Sequence, residues 1–213
     1  MYPHSFIEES NNQLIAAFAS KGIQIRILNK SDGYRKWWER IVMRLARLFN
    51  PDVDSFITVF TSGKEARIYW SAGRPFSATS IFDHATLRHE AVHVLQAMRL
   101  GKLFGPFLFA LLYLFALPAV FTMRAKYEQE AYLETLRVYQ EYGVSHVQKI
   151  RAMDRWAKLF RDSSYFWMDP VWGGGFRRGS DLRAQILYHG APGPSPLEAI
   201  GYKPLAPFFD QES

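Results

Sequence analysis

His89-Glu90-Ala91-Val92-His93 reads H-E-x-x-H, and the rest of the chain is best read outward from it. Two histidines four residues apart on a helix project from the same side, because four residues are a little more than one turn. Their imidazole nitrogens then reach one divalent cation, and zinc suits nitrogen and carboxylate donors. Glu90 stands beside them, where a carboxylate of this spacing serves metalloproteases as general base.

The flanking residues predict the helix that this geometry needs. Ser80-Ile81-Phe82-Asp83 fits a capping box with Ser80 as N-cap, and Gly101-Lys102 offers a stop. Between them Leu87, Ala91, Val94, Leu95 and Met98 fall at helical spacing as an apolar stripe, with His89, His93 and Gln96 on the opposite side. The expectation is a helix with one face for a core and another for a site.

A catalytic zinc site of this type takes three protein ligands and leaves one position for water. The segment Tyr127–Glu134 offers Glu128, Glu130 and Glu134. On a helix, Glu130, Glu134, Arg137 and Glu141 share one charged face, which predicts a solvated surface with Arg137 in reach of the acids. Glu128 points the other way, among Ala131, Tyr132, Thr135 and Tyr139. A carboxylate on such a semi-apolar face needs a cation or a donor. Helix geometry therefore favours Glu128 over Glu130 as third ligand; the plainer use of Glu128 is a salt bridge to a nearby arginine.

With these pieces in place, H-E-A-V-H-V-L-Q (89–96) and Y-E-Q-E-A-Y (127–132) resemble the zincin-fold metallopeptidases whose third ligand is a glutamate, the gluzincin type. The pattern is most similar to the group that includes the HtpX and CAAX prenyl proteases and small bacterial and phage relatives. In that group the third ligand opens an E-x-x-A-D pattern. Glu128-Gln129-Glu130-Ala131 matches its first four positions; Tyr132 stands where an aspartate that orients a ligating histidine is usual. The resemblance covers roughly residues 55–140. It implies a zinc-dependent metallopeptidase, with His89, His93 and Glu128 holding the metal and Glu90 as the catalytic base. An oxyanion-stabilising donor would also be needed, and Tyr165, Tyr188 and His189 are candidates. His84 and His146 are expected to be structural or surface histidines.

Composition bounds the class. The chain has 213 residues, 48% of them hydrophobic and 16% aromatic, which fits one folded domain and excludes a disordered one. No cysteine is present, so thiolate ligands and disulfides are excluded. Lys+Arg number 26 against 20 Asp+Glu, a net charge of +6. That excess permits acidic partners without demanding nucleic acid, which is not expected. Met1-Tyr2-Pro3-His4-Ser5 lacks a basic region leading into an apolar one, so no secretory signal is expected; the location is left open between cytoplasm, virion and the periphery of a membrane.

Along the chain, the patterns predict a helix over Phe6–Ser20 with Leu14, Ile15 and Phe18 inward, then a strand over Ile23–Leu28. A second helix is expected over Tyr34–Asn50. Its apolar face is Trp38, Ile41, Val42, Leu45 and Leu48, its cationic stripe Lys36, Arg40, Arg44 and Arg47. The apolar face is expected to pack on the core and the stripe to be solvated. Phe56–Thr61 and Ala66–Trp70 flank Ser62-Gly63-Lys64-Glu65 as a hairpin, with Ala66–Trp70 a candidate for pairing with an extended peptide. Further helices are expected at Arg124–Tyr142 and Ser145–Arg161, the latter with Val147, Ile150, Met153, Ala157 and Phe160 inward. Residues 162–179 are aromatic and glycine-rich, a short helix is expected from Ser180, and the prolines beyond it predict a loop. The core is placed at 55–161, with 162–213 as an extension.

Gly105–Phe121 runs about 17 residues without a charge, close to membrane-spanning length. A single crossing there would put His93 and Glu128 on opposite sides of the bilayer, so a buried core helix, a partner-binding surface or a membrane-dipping element is expected instead. The fold class expected is α+β: a mostly helical, zincin-like domain with a small antiparallel or mixed sheet beside the H-E-x-x-H helix. Two other functional readings remain. One is a zinc staple in an assembly such as a phage particle; the other is a metal-free module for anionic membrane or nucleic acid, built on the 36–47 stripe.

Overall fold

Strand β3 (Glu65–Trp70) lies at the centre of a three-stranded sheet, with β1 (Gln24–Asn29) parallel on one edge and β2 (Thr58–Ser62) antiparallel on the other. The computed structural model describes residues 4–49, 51–104, 118–161 and 194–204. Around the sheet stand helices α1 (His4–Ser20), α2 (Trp37–Phe49), α3 (Ile81–Phe104), α4 (Pro118–Glu141) and α5 (His146–Arg161), with a 3-10 turn at Pro196–Ile200. The fold is α+β, mostly helical, with a small mixed sheet.

The hairpin forms as its sequence predicts, with Gly63 at φ 61° in the turn. Its outer strand is not Ala66–Trp70, however. β1 pairs along the whole of β3, so both edges of Ala66–Trp70 are bonded and it has no edge left for a peptide. Among the described strands the open edges belong to β1 and β2, and β2 packs along α3.

Alternation along β3 builds two cores. Ala66, Ile68 and Trp70 face α1 and α3 and join Leu14, Phe18, Ile25, Leu87, Ala91, Leu95, Ala131, Leu197 and Tyr202. Residues from both ends of the described chain thus share the core that backs α3; it extends well beyond 55–161, and the segment at 194–204 is part of it. A second cluster ties Ile7 of α1 to Leu136 of α4 and Met153 of α5.

Arg67 and Tyr69 face the other way, under α2, and they turn that helix. Arg67 Nε and the Tyr69 hydroxyl both donate to Glu39, which is fully buried. Val42, Met43 and Ala46 are buried with it, on Phe60 and Tyr69. Ile41, Leu45 and Leu48, expected inward, are exposed together with Trp37. The inward face is therefore rotated by roughly 100°, one residue of helix, from the purely apolar face. A buried arginine needs its carboxylate, and α2 follows Glu39.

Other boundaries shift. α3 runs through Gly101 to Phe104. α4 begins at Pro118 rather than Arg124, a position that proline suits because its missing N–H has no helical acceptor. On α5, Ala152 and Met153 are buried while Val147 is exposed. Most of the uncharged run (105–117), the aromatic stretch 162–179 and the helix expected from Ser180 lie outside the described residues. Among the described residues no helix is long and apolar enough to cross a membrane.

Candidate metal centre

α3 is buried nearly all round, not on one face. Leu87, Ala91, Val94 and Leu95 are buried as the stripe predicts, but so are Asp83, His84, Arg88, His89, Glu90 and Gln96. Polar side chains inside a protein need partners, and those of α3 organise everything around it. At its start the Asp83 N–H donates to the Ser80 hydroxyl (3.3 Å), half of the expected capping box. The Asp83 carboxylate does not return to Ser80; it accepts from the Ser77 N–H (2.9 Å) and pairs with Arg74, pinning the preceding loop.

At the next position, His84 contacts Asn11 Oδ1 (2.7 Å) and the Ser10 hydroxyl (3.4 Å), a structural role as expected. Arg88 crosses to α4, donating to Glu134 and Glu141, with its guanidinium 5.3 Å from the Tyr202 ring centre. Glu134 also accepts from Arg137 (2.6 Å) and from the Ser195 hydroxyl (2.8 Å). The Glu130–Glu134–Arg137–Glu141 face exists, but Glu134 is fully buried rather than solvated, because Arg88 needs its charge.

His89, His93 and Glu128 converge. His89 Nε2 and His93 Nε2 are 3.2 Å apart, and Glu128 Oε2 lies 3.5 and 3.6 Å from them. Donors about 2.0–2.1 Å from a tetrahedral zinc stand about 3.3 Å from one another. The three observed separations match one triangular face of that tetrahedron, so the donor set fits the ion in kind and spacing. Of the two glutamates weighed from sequence, Glu128 meets the imidazoles; Glu130 instead accepts from Gln96 Nε2 (2.9 Å).

Each imidazole is held from behind. Gln96 Oε1 lies 2.8 Å from His93 Nδ1, and the same amide donates to the Tyr127 carbonyl (3.1 Å). Thr135 Oγ1 lies 3.3 Å from His89 Nδ1. Tyr132 sets its ring edge-on to His89 at 4.7 Å and stacks on Trp156. An amide thus backs His93, and a hydroxyl and a packed ring back His89.

Electrostatics follow from burial. It works against a charged His93, but the Glu128 carboxylate, Glu90 and the Gln96 hydrogen bond outweigh it and hold the imidazole above its ordinary value. Burial also works against the Glu128 carboxylate; the two imidazoles prevail and hold it well below the usual range. Burial pushes the Glu90 carboxyl up, against the pull of His89 and His93. Lys30 also pulls Glu90 down, from a buried position where its ammonium donates to the Val53 (2.9 Å) and Phe56 carbonyls.

Sequence reasoning did not single out Thr135, Lys30 or Arg88. Thr135 was legible in principle, lying two turns after Glu128 on the same face; Lys30 carries no pattern at all. His146 is exposed on α5. The oxyanion candidates Tyr165, Tyr188 and His189 lie outside the described residues. Compared with known proteins, the chain has no match among family models, curated proteins or solved structures.

Proposed function

We propose that the chain is a zinc-dependent metallopeptidase. What supports this reading is the convergence of two imidazole nitrogens and one carboxylate oxygen, from α3 and α4, at spacings that fit a tetrahedral ion. When bound, zinc supplies Lewis-acid polarisation of a carbonyl and lowers the pKa of water. Glu90 accepts the proton of the attacking water and returns it to the leaving amine. A carboxyl raised by burial suits both halves of that transfer near neutral pH. Gln96, Thr135 and Tyr132 keep the imidazoles aligned, and the open edge of β2 is the described strand best placed beside α3 for an extended peptide.

The depth of the cluster favours one other reading, zinc as a staple between α3 and α4 in an assembly. A single substitution separates the two. Glu90→Gln is expected to keep stoichiometric zinc, read by elemental analysis, and to abolish cleavage of a denatured protein substrate. Absence of zinc from freshly purified wild type overturns both readings. Wild type that binds zinc but cleaves nothing, or Glu90→Gln that cleaves as well as wild type, overturns the peptidase.

A further inference from the structure

The outer side of α2 carries an apolar stripe that nothing in the described fold covers. Trp37, Ile41, Leu45 and Leu48 are 66%, 42%, 38% and 78% exposed, and their spacing puts them on one line along the helix. Lys36, Arg40 and Arg44 are exposed alongside. The acid of the helix, Glu39, is buried and taken by Arg67, while Arg47 is paired with Asp54. The exposed flank is therefore cationic with no acid of its own helix to offset it.

At the N-terminal end of the same helix lies a pocket of about 280 Å³ lined by Arg26, Leu28, Arg35, Lys36, Glu65 and Arg67. Four of its residues are basic and one is acidic; that acid, Glu65, pairs with Arg26 and Arg67, which leaves Arg35 and Lys36 as the cations it does not pair with. Arg67 is 1% exposed, and its Nη2 meets no acceptor among the described residues. A buried guanidinium N–H without an acceptor is costly, and a phosphate oxygen satisfies it.

From this juxtaposition we infer that α2 docks the protein on an anionic phospholipid surface. The apolar stripe enters the headgroup boundary, Arg40 and Arg44 lie among the phosphates, and the pocket takes a headgroup. An apolar stripe beside a cationic one is what an interfacial helix needs. A second copy of the chain is a poorer occupant. A twofold interface brings the same patch against itself, so arginine would face arginine. Four side chains also fall well short of the roughly 20–30 residues a side of a stable interface. The inference is independent of the metal centre.

Sedimentation with sucrose-loaded vesicles tests it. Wild type is expected to bind phosphatidylcholine vesicles containing phosphatidylglycerol, to ignore phosphatidylcholine alone, and to lose binding as salt rises. Arg40→Gln with Arg44→Gln is expected to weaken partition by roughly fivefold per charge removed. Leu48→Glu is expected to weaken it by on the order of tenfold or more. All these side chains are exposed, so circular dichroism and thermal midpoint should match wild type. No binding by wild type, equal binding to both vesicle types, or binding that both variants retain overturns the inference. A wild-type dimer that Leu48→Glu dissociates in sedimentation equilibrium, without vesicle binding, overturns it in favour of self-association.

Discussion

The side-chain oxygen of Gln96 lies 2.8 Å from Nδ1 of His93, while the nitrogen of the same amide reaches Glu130 and the Tyr127 carbonyl on α4. An amide oxygen accepts, so this contact suits an N–H at His93 Nδ1, and it leaves Nε2 facing Glu128. One glutamine thereby orients an imidazole on α3 and joins it to the helix that carries Glu128.

Removing that amide should loosen the ion without removing a ligand. Gln96→Ala is expected to weaken zinc binding by roughly 10- to 100-fold, the usual effect of losing a partner behind a ligating histidine. Competition with a chelating dye measures it. Affinity equal to wild type would show that packing alone orients His93.

The two glutamates should separate cleanly. Glu128→Ala is expected to abolish stoichiometric zinc, whereas Glu130→Ala keeps it with reduced affinity through Gln96. Because Glu128 raises His93, a proton competes with the metal; affinity should climb with pH through the neutral range and proton release should accompany binding. Isothermal titration in buffers of different ionisation enthalpy reads that release. Zinc retained by Glu128→Ala but lost by Glu130→Ala would reverse the assignment.

Arg88 and Glu134 are both fully buried. Glu134→Ala strips the guanidinium of its main partner and takes the acceptor from Ser195 and Arg137. The expected cost is about 3–5 kcal/mol, the range for breaking a buried ion pair on one side. Urea unfolding monitored by circular dichroism gives the number, and a loss below about 1 kcal/mol would place the pair with solvent-exposed bridges instead.

His84 makes stability depend on acid. Burial, reinforced by the charge of Arg88, pushes it down to about 3. The unfolded chain takes up a proton near pH 6.5 that the folded chain refuses, so stability is intact above that pH and declines as pH falls toward 3. At pH 5 the loss is roughly 2 kcal/mol. Between pH 7.5 and 5, His84→Gln should lose less stability than wild type by about that amount; equal losses would contradict the burial of a neutral imidazole.

The parts of this structure that could be read in the sequence are those set by local periodicity. α3, α4, the Gly63 hairpin and the pairing of Glu128 with the two histidines all follow from spacing on one element or two. What could not be read depends on partners distant in the chain. The orientation of α2 is decided by Arg67 and Tyr69, some thirty residues on, which pull Glu39 inward against the apolar pattern. Glu134 reads as a surface acid because Arg88, 46 residues earlier, gives no local sign that it is buried. β3 reads as an edge until β1 is known to lie parallel to it.

Ser10 on α1 meets the Tyr202 hydroxyl at 2.9 Å, a contact spanning 192 positions, and Ser195 closes on Glu134 across 61. During synthesis on a ribosome, His89, Glu90, His93 and Glu128 all emerge long before either bond can form. A nascent chain stopped after α4 holds His89, His93 and Glu128 but lacks the Leu197 and Tyr202 that pack with α3 in the core. Long-range closure of this kind comes late and slowly. The core that backs α3 is thus completed only by the last described segment, after every residue of the α3–α4 cluster has been made.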